Sequence, residues 1–226
     1  MKIQERSYST KIMRPKPLIH SEEDGSLVVV ATSWGQPEHG QRALDEVVKY
    51  VSAAKADVEV TSPFEFLTCM TDETNYVRTA LMIANDALYR GENKNSYNSG
   101  VEILVIFKRG LQLAWAQVGS PSMFIQRENQ KLQPLSINTD LSSELRSSEE
   151  NLPPLPGQLL GLDRTCYIQC GHTFVREGDQ IVLLAGTSIA TSLWTLEPHE
   201  GNLGRITDRM IQEEPESPFW LGLISV

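Results

Sequence analysis

The chain has 226 residues, 40% hydrophobic and 22% charged, with a formal net charge of −9. That length can bury a substantial core, and the composition is ordinary for a soluble globular protein. The acidic balance excludes nonspecific nucleic-acid binding, which relies on lysine and arginine against phosphates, and disfavours attraction to anionic lipid.

Residues 1–13 read as a first strand, with Ile3, Tyr8 and Ile12 among polar neighbours, before Pro15 and Pro17 break it. Leu27–Thr32 is a continuous β-branched run, the pattern of a strand buried on both faces. From Gly40 to Ala54 the period changes: Ala43, Leu44, Val47, Val48 and Val51 recur at helical spacing. A second helix is predicted from Thr71, a good N-cap with Asp72 and Glu73 behind it. Its stripe is Val77, Leu81, Ala84 and Leu88, and Gly91 ends it. Val101–Phe107 and Leu111–Val118 flank Lys108-Arg109-Gly110, a hairpin signal. Met123–Gln126 and Leu132–Leu135 form another around Glu128-Asn129. Residues 137–157, rich in Ser, Glu, Asn and Pro, read as an exposed loop. Strands are expected at Cys166–Gln169, His172–Val175, Ile181–Leu184 and Phe219–Val226, with short helices near Ser188–Thr195 and Leu203–Ile211.

Such segregated runs imply an α+β domain with antiparallel sheets, and no repeat or linker divides residues 1–226. The longest apolar runs fall well short of the roughly 20 residues of a spanning helix. The basic segment 1–17 has no apolar core, unlike a signal peptide. Three cysteines, too few for a disulfide framework, suggest a reducing, cytoplasmic setting.

Three stretches carry the strongest signal: Val28–Gly35, Trp115–Ser120 and Gly178–Ser188. In order, they resemble the type 2C metal-dependent protein phosphatases, the PPM family. That family has a strand ending in Ala-Asp-Gly-x-Gly-Gly, one ending in Val-Gly-Asp-Ser-Arg, and a Gly-Asp-x-hydrophobic strand ending in Ser-Asp-Gly. Gly35–Ala43 is similar to its Gly-Gly-His-x-x-Gly-x-x-Ala segment, Asn85-Asp86-Ala87 to its Ala-Asn segment, and Gln133–Ser142 to its Leu-Thr-x-Asp-His segment. The resemblance spans about residues 7–226. It implies a β-sandwich of two antiparallel sheets with helices on the outer faces, and a variable flap at about 137–157.

It also implies two divalent cations whose shared water attacks phosphorus, held by carboxylates that offset their charge. Here Thr32, Ser120 and Thr187 stand where three of those acids would fall, and Ser33 replaces the glycine after the first. Ser217-Pro218 stands where Asp-Asn precedes the last strand. No acid lies among Lys11–Pro17, where the resemblance places a basic residue and an acidic pair. Hydroxyl groups are neutral and cannot offset two cations, so no cofactor or metal is expected. Lys11, Arg14 and Trp34 are the candidate contact residues of the old cleft, with Trp34 either a binding anchor or a plug.

Cys166, Cys170 and His172 tempt a zinc reading. On a strand, residues four apart are separated by roughly 13 Å, too far for one ion, so they are read as core cysteines. His39 is read as a solvated loop residue. No nucleophile elbow or phosphate-cradling glycine loop occurs.

The expectation is a cytoplasmic pseudophosphatase, a regulator or scaffold working through an unidentified protein partner, with neither membrane nor nucleic acid involved. Two alternatives stand beside it: a divergent phosphatase using displaced acids such as Asp24, Asp140 or Glu216, and a noncatalytic phospho-ligand module.

Overall fold

The computed structural model describes residues 1–56, 64–138, 140–145, 152–197 and 201–226. In chain order the elements begin with β1 (Lys2–Tyr8), β2 (Leu18–Ser21), β3 (Leu27–Gly35), α1 (Pro37–Ala56) and α2 (Asp72–Arg90). Next come β4 (Ser99–Arg109), β5 (Gln112–Val118), β6 (Ser122–Gln126), β7 (Gln133–Ser136) and α3 (Leu141–Leu145). The chain finishes with β8 (Gln169–Phe174), β9 (Gln180–Gly186), α4 (Thr191–Trp194), α5 (Leu203–Glu213) and β10 (Phe219–Ser225). They fall into two compact units. One comprises residues 17–119 and 158–175, the other residues 1–16, 120–157 and 176–226.

The first unit is a five-stranded antiparallel sheet in the order β2-β3-β4-β5-β8. Alternation decides its faces: Leu27, Val29 and Ala31 of β3, with Ile103, Val105 and Phe107 of β4, meet the apolar stripes of α1 and α2. The intervening Val28, Val30, Leu104 and Ile106 are buried too, which is why residues 27–31 of β3 and 103–107 of β4 read as unbroken apolar runs. Pro37 opens α1, where its missing N–H costs nothing. Thr71 caps α2 by accepting from Thr74 N.

The second unit is also a five-stranded antiparallel sheet, ordered β1-β10-β9-β6-β7. Phe124, Val182, Leu184, Leu221 and Leu223 share a core with Leu193, Ile206 and Met210 of α4 and α5. Trp220 is buried, and its indole donates to Glu5 Oε2 at 2.7 Å.

Several expectations are corrected. The first strand ends at Tyr8, not residue 13, because its ladder with β10 stops at Tyr8↔Phe219. Cys166–Gln169 and His172–Val175 are not two strands. β8 pairs without a break from Gln169↔Gln117 to Phe174↔Gln112, and residues 166–168 stay outside the ladder. The helix expected at 188–195 shortens to Thr191–Trp194. Inside the 137–157 loop, α3 forms and Asp140 bridges Pro156, while residues 139 and 146–151 lie outside the described residues. No helix among the described residues is long and apolar enough to cross a membrane.

Candidate functional site

In the first unit, Thr32 sits near the end of β3, 2% exposed and directly opposite Glu102 of β4. Glu102 is fully buried, and its Oε2 accepts a 2.9 Å hydrogen bond from the Trp34 indole. Trp34 lies two residues beyond Thr32 on the same face of the strand, so its ring reaches the carboxylate diagonally. The half-buried Trp34 is thus fastened to the strand pair. Ser33 donates to Pro37 O at 3.3 Å. A β-carbon on Gly40 would lie 2.3 Å from Ser33 Oγ, so a side chain there would displace the Ser33 hydroxyl from its present rotamer. His39, expected to be solvated, is only 13% exposed at its side chain, and its Nε2 meets Glu92 at 3.2 Å.

Glu102 is the site residue that sequence reading missed. Its signal was an acid inside the apolar run Val101–Phe107, uninterpretable without the β3–β4 register. Gly119, at φ +70°, lies against it: an added β-carbon would fall 2.7 Å from Glu102 Cγ.

In the second unit, Ser120 is buried ahead of a cis peptide to Pro121, and its hydroxyl accepts from Asn138 Nδ2 at 3.1 Å. Thr187 and Ser217 come together in one cleft of about 10 Å³, room for a single water at most. Ser188 beside them donates to Glu214 at 2.8 Å. Lys11 is exposed. Arg14 is buried rather than presented to a ligand, and its Nη1 meets Asp140 Oδ2 at 3.4 Å.

Of the candidate displaced acids, Asp24 and Asp140 make local hydrogen bonds. Asp24 and Glu22 belong to the turn that precedes β3, roughly 17 Å along the strand from Thr32. Lys55 Nζ binds both carboxylates there. Burial raises the Glu22 pKa, but hydrogen bonds from Ser52, Lys55 and Ser26 outweigh it and hold the group below its ordinary value. Asp24 is held well below the carboxylate range, chiefly by Lys55. Asp140 Oδ1 accepts from Ser142 N, Ser142 Oγ and Leu155 N at 3.0, 2.6 and 2.8 Å. It closes a loop. Glu216 contributes its backbone carbonyl to Thr10 at 3.1 Å.

A pair of hard cations needs several carboxylate oxygens converging. Among the described residues no group of three or more His, Cys, Asp or Glu could hold a metal ion. Cys166 and Cys170 pack against the first unit's core while His172 is exposed, and burial pushes the Cys166 thiol up to about 11.

No family model matches this sequence, and no curated protein matches it either. Solved structures do. The chain superposes on the Mycobacterium tuberculosis serine/threonine phosphatase PstP/Ppp with a TM-score of 0.64 at 14% identity, covering 98% of this chain and 97% of that one. The PPM Ser-Thr phosphatase MsPP of Mycobacterium smegmatis, solved with cacodylate, gives a TM-score of 0.65 at 12% identity, covering 100% and 98%. The PstP catalytic domain in complex with two manganese ions gives 0.61 at 15% identity, again covering 100% and 98%. The fold is therefore the α+β fold of the PPM phosphatases, as the motif order implied.

Proposed function

We propose that this chain is a noncatalytic, phosphatase-like protein, a cytoplasmic regulator or scaffold that works through contacts with a protein partner. The observation that carries the reading is the donor set on a phosphatase fold. Hydroxyls stand at residues 32, 120 and 187, and no cluster of acids among the described residues takes their place. The buried acid opposite Thr32, Glu102, is already engaged by the Trp34 indole. A carboxylate held in this way accepts a neutral N–H where a metal ligand would donate to a cation.

The divergent-phosphatase alternative loses support, because Asp24 and Asp140 each serve a local structural role. The test is hydrolysis of p-nitrophenyl phosphate and of a phosphothreonine peptide by purified protein with Mn²⁺. Turnover at the background rate is expected. Manganese-dependent turnover that Glu102→Gln abolishes would overturn the reading.

A further inference from the structure

Helix α2 has two faces. Val77, Leu81, Ala84 and Leu88 enter the core of the first unit. Arg78, Met82, Asp86 and Arg90, each four residues after the last, form a second stripe that is half-buried to exposed. Residues 164–168 run alongside that stripe. They are fixed there by Asn85, 3% exposed, whose Nδ2 donates to the carbonyls of Asp163 and Arg164 at 3.0 and 3.3 Å. Its Oδ1 accepts from Gly161 N at 2.8 Å. Every polar atom of this buried amide is used to position the segment.

Between helix and segment lies a hollow of about 440 Å³, with Arg164 and Tyr167 facing the α2 stripe. That volume is within the range of ligand pockets. Arg90 also borders an adjoining hollow of about 510 Å³ with Tyr97, which is 75% exposed, so the recess continues past the end of α2.

The charge here runs against the chain's overall −9. Among the described residues, three guanidinium groups line one hollow against a single carboxylate, Asp86, which Arg90 Nε meets at 2.7 Å. The hydrogen bond of the Arg78 guanidinium goes to the Glu65 carbonyl at 3.4 Å, and neither Arg78 nor Arg164 has a carboxylate partner among the described residues. Like charges sharing a recess repel unless an anion lies between them. Arginine forks match the paired oxygens of carboxylates, as they do those of phosphates. Met82 and the exposed Tyr167 ring add an adaptable apolar wall beside the charges. A small inorganic anion would leave that wall and most of the volume unused. An anionic bilayer would face the net negative charge of the whole chain and could not enter a concavity.

We propose that this recess docks an acidic peptide segment of a partner protein. Its carboxylates would meet Arg78, Arg90 and Arg164, and a neighbouring apolar side chain would rest on Met82 and Tyr167. The proposal supplies the surface that a contact-driven function requires and rests on that reading, yet its test involves no metal. Failure here leaves the noncatalytic reading standing, and manganese-dependent turnover would sink that reading without touching the recess.

The experiment is selection of the full chain against a random peptide library, followed by fluorescence anisotropy on the enriched sequences. Enriched peptides are expected to pair Asp or Glu with Leu, Phe, Met or Tyr. Affinity should fall about tenfold in Arg78→Ala and again in Arg164→Ala, and should weaken with salt. Both side chains lie outside the core, and circular dichroism checks that each variant is folded. Absence of enrichment, enrichment without acidic residues, or equal binding by the doubly substituted protein would overturn the proposal.

Discussion

Replacing Asp140 by alanine removes a carboxylate whose side chain is 1% exposed and which accepts four hydrogen bonds, from Ser142 N, Ser142 Oγ, Leu155 N and Arg14 Nη1. The substitution leaves the Arg14 guanidinium, 3% exposed, without its buried counter-charge. Breaking a buried pair from one side costs about 3–5 kcal/mol. An orphaned buried donor costs roughly 1–3 kcal/mol. These costs are not additive here, because the Arg14 contact is long at 3.4 Å and the loop donors can turn to water. Asp140→Ala is therefore expected to lower unfolding stability by about 3–5 kcal/mol. Asp140→Asn keeps an acceptor for the loop donors but also removes the counter-charge of Arg14, so it should be less destabilising than alanine by only about 1 kcal/mol. Urea unfolding followed by circular dichroism measures both. The double variant Arg14→Met/Asp140→Leu should recover part of the loss, since a buried apolar pair replaces a buried ionic one. A loss under about 1 kcal/mol in Asp140→Ala, or a change in Mn²⁺ affinity in its place, would refute the structural role assigned to this acid.

Gly119→Ala forces a side chain onto a backbone at φ +70°, with its β-carbon 2.7 Å from Glu102 Cγ and 2.8 Å from the Gln158 carbonyl. It should cost roughly 2–4 kcal/mol in the same urea assay. Glu22 has a folded-state pKa below its ordinary 4.5. The stability it contributes is therefore fully present above that pH and lost as pH falls through the folded value. Lys55→Met removes one of the groups that depress it, so the drop in Tm between neutral and strongly acidic buffer should shrink. An unchanged drop would contradict the assignment.

Much of the fold was legible because local signals agreed with each other. Thr71, Asp72 and Glu73 announced α2, and the β-branched run from Leu27 announced β3. β2 was not legible: Leu18–Ser21 is four residues with no alternation, and it is a strand only because β3 offers it a ladder. β8 was split in the reading because Cys170-Gly171 interrupts its apolar pattern, whereas pairing with β5 carries the strand through. Motif order singled out Thr32, Ser120 and Thr187 as candidate site residues. It could not reveal what surrounds them. Trp34 and Glu102 are 68 residues apart in sequence, and Arg14 and Asp140 are 126 apart. Such pairings exist only once strand register and loop closure are fixed. The outer stripe of α2 is periodic in the sequence, yet Arg164 comes from a segment that the buried Asn85 and Asn93 amides help to hold beside it.

In the proposed reading, hydroxyls at positions 32, 120 and 187 leave a phosphatase fold without a metal centre. Calorimetric titration of the metal-free protein with Mn²⁺ tests it most directly. Heats no greater than dilution, up to high metal, are the expected result. Saturable binding of two ions per chain would contradict the claim and would mean that acids elsewhere in the chain rebuild the site.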